Sequence, residues 1–231
     1  MGSNQLEESK KEFIAIASHK LLTPLSVIQF NAELLLKNTD ISEETQEKLR
    51  DILKNTKQLV DFSGILLKTT DAYKGEGEQL ISDIDISNVA ETLKKEFESE
   101  LVEINIDINL KDKVIKAPMQ STDLLSIVRF MVDNAIKYNK SERKKINITF
   151  SRDKGGLFTI TILDNGIGVP DGEEEAIFSG FYRANNTKDI DVKGNGLSLY
   201  LSKKLLKNIK GDIALEKVES GSKFVVKFPI K

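Results

Sequence analysis

The sequence has no cysteine, little net charge and no long apolar run. Without cysteine its 231 residues form no disulfide and no thiolate metal site, which suits a reducing compartment. Its 34 basic and 36 acidic residues nearly cancel, which argues against a nucleic-acid partner. No run approaches the roughly 20 apolar residues that cross a bilayer, and "MGSNQLEESKKE" has no signal-peptide centre. We therefore expect a soluble chain with no membrane contact of its own.

Histidine occurs once, as His19 in "FIAIASHKLLTPLSVIQF". A lone histidine on a helix is more often a packing or surface residue than a reactive one. Its role therefore depends on what the rest of the chain contains. At this length, a folded chain buries roughly 70% of its extended surface, enough for one large domain or two ordinary ones.

The first 70 residues show the apolar spacing of two amphipathic helices. The first stripe runs from Leu6 to Leu36 and includes Leu21, Leu25, Ile28, Ala32 and Leu35. "KNTDISEE" interrupts it, and Asp40 or Ser42 can cap a second helix that continues to about Thr70. The pattern predicts a helical hairpin over residues 1–72.

A two-helix hairpin buries too little apolar surface to be stable alone. Stripes this wide are typical of a four-helix bundle, which two copies of the hairpin would form. We therefore expect a homodimer. The alternative is that the two helices fold back on the rest of the chain.

The composition changes to glycine and polar residues in "TDAYKGEGEQLISD", which predicts a linker at 73–83 and a second domain at 84–231. Helical segments at 87–101, 121–138 and 197–208 alternate there with strand-like segments at 102–110, 145–151 and 157–164. A hairpin pattern fills 211–230. These elements predict an α+β sandwich, with helices on one face of a mixed sheet.

Two glycine-bearing stretches of this domain, "DNGIGVP" and "KGNGLSLYLSKKLL", are suited to a phosphate ligand. Glycines let the backbone approach a ligand closely, and the second stretch leads into a helix N-terminus. Each stretch alone is a weak signal, since Gly-x-Gly also occurs in ordinary loops.

Asp164 ends an apolar strand, where a carboxylate can accept a hydrogen bond from an exocyclic amine such as that of adenine; its alternative role is to cap the turn. Asn134 and Lys137 lie one turn apart on a helix and could hold hydrated Mg²⁺ and phosphate. For this pair alone, a solvated helix end is the simpler interpretation.

In order and spacing, "ASHKLLTPL", "MVDNAIKY", "DNGIGVP", "IFSGFYRA" and "GNGLSLYLSKKLL" resemble the H, N, G1, F and G2 boxes of sensor histidine kinases of two-component systems. The resemblance covers nearly the whole chain. It implies a dimerisation and histidine-phosphotransfer hairpin followed by an ATP-binding domain of the Bergerat ATPase type.

The resemblance implies a role for each matching residue. His19 would be the phosphoacceptor, with Lys20 and Thr23 beside it in the H box. Asn134 would bind Mg²⁺, Lys137 a phosphate, and Tyr138 would form a wall of the nucleotide pocket. The remaining nucleotide-binding positions would be Asp164 for the adenine amine, Gly166 and Gly168 beneath the base, and Arg183, Lys193, Gly194, Gly196 and Leu197 around the triphosphate.

A mobile lid is implied at roughly 179–195, anchored by Phe178, Phe181 and Tyr182. Thr23 corresponds to the residue that positions water when the family dephosphorylates its partner. The presence of Thr23 is therefore compatible with phosphatase activity towards a response regulator.

Several positions depart from the family pattern, including Leu22 in place of an arginine of the H box and "KAPMQ" in place of the Gly-Asp before the N-box helix. Lys20 replaces the acid thought to accept the imidazole proton, a role typically worth 10² to 10⁴ in rate. Phe130 replaces an asparagine of the N box, and Ser198 replaces a glycine of the G2 box. Pro24 is expected to bend the helix just past His19. We expect weakened autophosphorylation and weaker nucleotide binding.

The resulting hypothesis is the cytoplasmic catalytic core of a sensor histidine kinase that uses ATP and Mg²⁺ to phosphorylate His19. It would pass the phosphoryl group to an aspartate on the receiver domain of a response regulator. The full-length protein could still be anchored in a membrane outside this chain. The alternative is a degenerate kinase that docks a regulator or heterodimerises with an active kinase and has weak catalysis of its own.

Overall fold

The computed structural model describes the backbone of residues 2–37, 41–71, 81–98, 102–187 and 196–231, and their side chains except those of residues 2–16, 19 and 67–71. The chain divides into two compact units, Met1–Gly77 and Glu78–Lys231. This division falls inside the predicted linker, 73–83, most of which lies outside the described residues. Its last two residues, Ser82 and Asp83, begin a strand. The domain boundaries stay a prediction.

The first unit is the predicted helical hairpin. Helix α1 spans Gly2–Leu36 and continues through Pro24, and helix α2 spans Glu43–Asp71. Of the two candidate caps, Ser42 accepts a hydrogen bond from the Thr45 amide at its Oγ (3.2 Å), whereas Asp40 lies outside the described residues. Such a cap satisfies one of the amides that a helix N-terminus leaves without an intrahelical partner.

The second unit is an α+β domain with helices α3 (Ile86–Glu96), α4 (Ser121–Lys137) and α5 (Ser198–Asn208). Its strands are β1 (Ser82–Asp85), β2 (Val102–Asn109), β3 (Val114–Ala117), β4 (Lys144–Arg152), β5 (Phe158–Asp164), β6 (Asp212–Glu216) and β7 (Ser222–Phe228). Five of them form a sheet in the order β2-β4-β5-β7-β6, in which only β2 and β4 are parallel. The predicted mixed sheet is confirmed.

One face of this sheet forms the core, and the side chains of β4 alternate between this face and the more exposed one. Ile146, Ile148 and Phe150 of β4 lie opposite Asp164, Ile162 and Ile160 of β5 in register. The six side chains are buried, whereas the other face of β4 carries exposed residues such as Lys145 and Asn147. Asp164 is therefore a carboxylate on the apolar face of the sheet.

Two short strands, β1 and β3, were not predicted. They pair antiparallel as a separate sheet, with Ile84 opposite Ile115. At four residues each, they are too short for an alternating pattern to be recognised.

Helix α3 also ends earlier than predicted, at Glu96 rather than near residue 101. The following residues read as helix formers, but Phe97 leaves the helical conformation (φ −102°) and is only 5% exposed. Its amide still donates to the Leu93 carbonyl (3.2 Å), so Phe97 closes the last turn of the helix.

Candidate functional site

The H box lies in the middle of α1. The structure describes only the backbone of His19, which is helical. Ser18 before it is buried, whereas Lys20 and Thr23 are exposed. Both predicted companions of His19 are therefore on the solvent side of the hairpin.

The hairpin exposes two sets of large apolar side chains. One set, the heptad stripe, repeats at seven-residue steps and consists of Leu21, Ile28 and Leu35 on α1 with Ile52 and Leu59 on α2. The other, the second stripe, begins at Thr23 and continues through Val27, Phe30 and Leu34 at helical spacing on another face of α1. Every apolar member of either stripe is at least 43% exposed.

In the second unit, Asp164 ends β5 and is 5% exposed. Its Oδ1 accepts hydrogen bonds from the backbone amides of Gly166 (2.8 Å) and Ser222 (3.3 Å). Burial raises the pKa of this carboxyl, and the hydrogen bonds from Gly166 and Ser222 oppose the shift. A buried carboxylate held by backbone amides has lone pairs left for a ligand amine.

The loop after Asp164 requires glycine at two places. A Cβ on Gly166 would lie 2.7 Å from the Tyr138 carbonyl oxygen and 2.8 Å from Asp164 Oδ1. Gly168 has φ +70°, and its Cβ would lie 2.9 Å from the Gly221 carbonyl oxygen. The amide of Ile167 donates to the Tyr138 carbonyl (3.0 Å), so the loop packs against the end of α4.

The side chain of Asn165 fixes the position of this loop through hydrogen bonds to residues outside it. Its Oδ1 accepts from the Lys145 amide (2.7 Å) and from Asn139 Nδ2 (2.8 Å), and its Nδ2 donates to the Arg143 carbonyl (2.9 Å). These bonds hold the loop against the start of β4 and the segment that joins α4 to it.

Gly221 and Ser222 contribute to the Asp164 environment and were missed from the sequence. Gly221 has φ +79°, and a Cβ there would overlap the Asp164 carbonyl. Gly221 and Ser222 follow Asp164 by 57 and 58 positions in sequence. They lie next to it because β7 pairs with β5, with Ser222 opposite Asp164. The "SGS" turn of the hairpin pattern was the available signal, and it does not reveal this pairing.

The N-box residues lie at the C-terminal end of α4. Asn134 is half-buried, Lys137 is the last residue of the helix, and Tyr138 follows it. Within the described part of the chain, the Asn134 side chain has no hydrogen-bonding partner, so its amide oxygen can serve as a ligand. Phe130, one turn earlier, is 4% exposed and belongs to the core.

The F and G2 boxes meet through their backbones. The Phe181 amide donates to the Gly196 carbonyl (3.0 Å), and a Cβ on Gly196 (φ +66°) would lie 2.5 Å from the Tyr182 carbonyl oxygen. Phe181 itself has φ +65° and is 77% exposed. Phe178, in contrast, is buried and packs edge-on against Phe224.

The remaining predicted contacts are only partly described. Arg183 is exposed, and its Nη2 donates to the Thr187 carbonyl (3.4 Å). Leu197 precedes α5, and its carbonyl accepts from the Leu201 amide (2.9 Å). Lys193 and Gly194 lie outside the described residues, as does the part of the predicted lid, 179–195, from residue 188 onward.

The structure therefore brings Tyr138, Asp164, Gly166 and Gly168 together, and separately joins Gly196 to the F box. The sequence also did not single out Glu173, a buried carboxylate that binds Asn185, the neighbour of the residue that donates to the Gly168 carbonyl. Among the described residues, no cluster of three or more His, Cys, Asp or Glu side chains could hold a metal ion.

Two family models match this chain in sequence. The model described as "His Kinase A (phospho-acceptor) domain" matches residues 9–67. The model described as "Histidine kinase-, DNA gyrase B-, and HSP90-like ATPase" matches residues 119–231. Together the two models span about three quarters of the chain, and they include the H box and the Asp164 loop.

The chain is also similar in sequence to a curated histidine kinase. The chain is 28% identical over 241 residues to the signal transduction histidine-protein kinase ArlS of Staphylococcus aureus (strain USA300), covering 97% of this chain and 51% of ArlS. The chain thus spans about half the length of the curated relatives it matches.

Solved structures support the same fold. Full-length ShkA, crystallised in complex with AMPPNP, has a TM-score of 0.62 at 22% identity, covering 95% of this chain and 46% of ShkA. The Acinetobacter baumannii histidine kinase AdeS has a TM-score of 0.57 at 19% identity, covering 92% of this chain and 98% of AdeS. With a phospho-acceptor hairpin followed by an ATPase-type domain, the chain belongs to the sensor histidine kinases of two-component systems.

Proposed function

We propose that this chain binds Mg-ATP in its second unit, transfers the γ-phosphoryl group to His19, and passes it to an aspartate of a response regulator. The observation that carries the proposal is the Asp164 environment: a buried carboxylate, held by two backbone amides and flanked by glycines that no side chain could replace. It lies in the region that matches an ATPase family, on the same chain as a phospho-acceptor domain.

In this proposal Asp164 accepts a hydrogen bond from the adenine amine. Gly166 and Gly168 allow the base to approach the loop, and Tyr138 lines its edge. Gly196 and Leu197 lie where the backbone turns into α5, whose first amides favour a phosphate oxygen. Arg183, Lys193 and Gly194 remain proposed phosphate contacts.

Mg²⁺ fits the donors that the described residues offer. Asn134 supplies one amide oxygen, and Lys137 lies one turn further along α4 as a phosphate contact. Mg²⁺ characteristically keeps several waters and takes few protein ligands in nucleotide sites. When bound, it would neutralise charge on the phosphates.

The phosphoryl transfer forms a P–N bond at the His19 imidazole and breaks the bond between the γ-phosphorus and the bridging oxygen, releasing ADP. The imidazole proton needs an acceptor, and because a protonated Lys20 cannot be one, the proton passes to water. Losing a general base typically costs 10² to 10⁴ in rate. We therefore propose slow autophosphorylation. Thr23, exposed one turn from His19, keeps phosphatase activity open.

The two stripes of the hairpin support two proposed partners. The heptad stripe has the spacing with which helices pack in bundles, and a second copy of the hairpin would cover it, which gives a homodimer. The second stripe begins at Thr23, close to His19, and is the proposed docking surface for the receiver domain. Among the described residues, no helix combines the length and apolarity needed to cross a membrane.

The activity can be tested directly with ATP labelled in its γ-phosphate. Incubation with Mg²⁺ should give a phosphoprotein whose label is lost in acid and kept in base, as expected of phosphohistidine. Steady phosphate release without any labelled protein would instead indicate an ATPase and contradict the proposal.

The second candidate function is a degenerate kinase that acts as a scaffold. It is favoured by Lys20 at the position of the proton acceptor and by Phe130, whose ring is in the core and offers no metal ligand. Lys20→Glu discriminates between the two. For an impaired kinase, labelling should rise by about 10² or more with unchanged ATP affinity. No labelling in either protein would favour the scaffold.

A further inference from the structure

Glu173 is the one buried carboxylate in the acidic segment "DGEEE". It is 9% exposed, whereas the side chain of Glu175 is 85% exposed. Its Oε2 accepts from the Asn185 backbone amide (3.0 Å), and its Oε1 accepts from Asn185 Nδ2. Burying a carboxylate is costly unless donors compensate it, and here both oxygens have one.

Tyr182 contacts the same carboxylate. A hydrogen bond to Glu173 raises the pKa of the Tyr182 hydroxyl above its ordinary value. Glu173 therefore holds two points of one segment, at residues 182 and 185. This segment contains the end of the F box and continues to residue 187. The described part of the chain stops there and resumes at Gly196.

The segment is also attached to the loop that follows Asp164. Asn186 Nδ2 donates to the Gly168 carbonyl (3.1 Å). Gly168 lies close to Gly221, whose carbonyl oxygen would be 2.9 Å from a Cβ placed on Gly168. A chain of contacts thus runs from Glu173 through Asn185 and Asn186 to the glycine loop beside Asp164.

This arrangement has a consequence for ligand affinity. If a site must be ordered before it binds, the apparent dissociation constant rises as the ordered fraction falls. We expect a buried carboxylate with several donors to keep residues 182–187 in one position before any ligand arrives.

We propose that Glu173 is a positioning residue for nucleotide binding, which fixes residues 182–187 against the Gly168 loop so that the site is ordered in advance. The inference rests on the proposed ATP-binding function. Glu173 itself does not contact the nucleotide in this proposal, and it acts through Asn185 and Asn186.

The test is calorimetric titration of the full chain with Mg-ATP. Glu173→Gln keeps the shape of the side chain but removes its charge, and should raise the dissociation constant by about tenfold, the value of a charge-assisted hydrogen bond. Glu175→Gln is the matched control, since it makes the same change two residues away on a carboxylate that pairs with Lys203; it should leave affinity unchanged.

A spectroscopic readout separates positioning from a general loss of structure. In Glu173→Gln, the Tyr182 hydroxyl should titrate at lower pH than in the wild type, measured by phenolate absorbance and assigned by subtraction of Tyr182→Phe. Unchanged ATP affinity would overturn the proposal, whether or not the Tyr182 titration moves.

A milder variant decides the matter if Glu173→Gln does not fold. Asn186→Ala removes one exposed hydrogen bond and should weaken ATP binding by about threefold. No effect there would overturn the inference. If the wild type does not bind ATP, the proposed function itself is contradicted. If the wild type binds ATP and both variants bind it equally well, only the inference about Glu173 is contradicted.

Discussion

The two units of this chain bury apolar surface very differently. Among the described apolar side chains of the hairpin, Ala32, Leu49 and Ile65 are buried, while the eight apolar members of the two stripes are exposed. The second unit has a continuous core between one face of its sheet and its helices, in which Ile146, Ile148, Ile160 and Ile162 are inaccessible to solvent. The hairpin is therefore incomplete as a single copy, whereas the second unit is self-sufficient. The hairpin is expected to gain stability through a partner and the ATPase-type unit through its own packing.

Disrupting the heptad stripe should have the largest effect. Ile28→Glu places a charge on the face that two copies would share, and each copy loses about 1.5–3 kcal/mol of apolar burial. We expect the dimer dissociation constant to rise by about a thousandfold, measured by sedimentation equilibrium. Phe30→Glu, on the second stripe, is the control and should leave the dimer intact. The reverse pattern would mean that the two stripes are assigned the wrong way round.

The next largest effect is expected on ATP binding by the second unit when Asp164 is replaced. Asp164→Asn keeps an oxygen for the Gly166 and Ser222 amides but presents an amide nitrogen to the adenine amine. A buried polar group that is mismatched to its ligand should weaken ATP binding by at least about a hundredfold, measured by calorimetry. Asp171→Asn, in the same loop but paired with Lys217 on the surface, should bind normally. Equal affinities for the wild type and Asp164→Asn would exclude the proposed adenine contact.

The same variant should not destabilise the domain near neutral pH. Burial raises the folded-state pKa of Asp164, so the ionised form costs stability once the pH exceeds that pKa. Asp164→Asn should therefore unfold at equal or higher denaturant than the wild type at pH 7. Its advantage should shrink as the pH falls through the folded pKa towards 3.8, the ordinary value of this group. An advantage that grew on acidification would contradict this sign.

The last comparison separates the cost of backbone strain from the cost of steric overlap. Gly221→Ala and Gly172→Ala both place a Cβ at positive φ, but at Gly172 there is open space, whereas at Gly221 the Cβ overlaps the Asp164 carbonyl. We expect a loss of about 1 kcal/mol for Gly172→Ala and about 3 kcal/mol for Gly221→Ala in denaturant unfolding of the second unit. Equal losses would show that the hairpin turn yields and does not hold Asp164.

Strong periodicity is what made the fold predictable. The Ile-rich alternation of β2, β4 and β5 and the stripes of α1 and α2 each extend over enough residues to distinguish strand from helix. The four-residue strands β1 and β3 do not, and the sequence after Glu96 contains no glycine or proline that would mark the end of α3 there.

The site residues that could be predicted from the sequence are those whose chemical type differs from that of their neighbours. Asp164 stands at the end of an apolar strand, and the glycines after it break the pattern. Ser222 and Gly221 could not be predicted. Ser222 follows Asp164 by 58 positions in sequence, and only the register of the strands brings the two together. Glu173 could not be distinguished from Glu174 and Glu175, since only the fold buries one of three consecutive glutamates. The role of His19 as phosphoacceptor stays a prediction.

The most direct measurement of the central claim compares the wild type with His19→Gln, both incubated with γ-labelled Mg-ATP. The wild type should acquire an acid-labile, base-stable label that peptide mapping places on the segment containing His19. His19→Gln should remain unlabelled while binding ATP with unchanged affinity. Label that persists in His19→Gln would contradict the account.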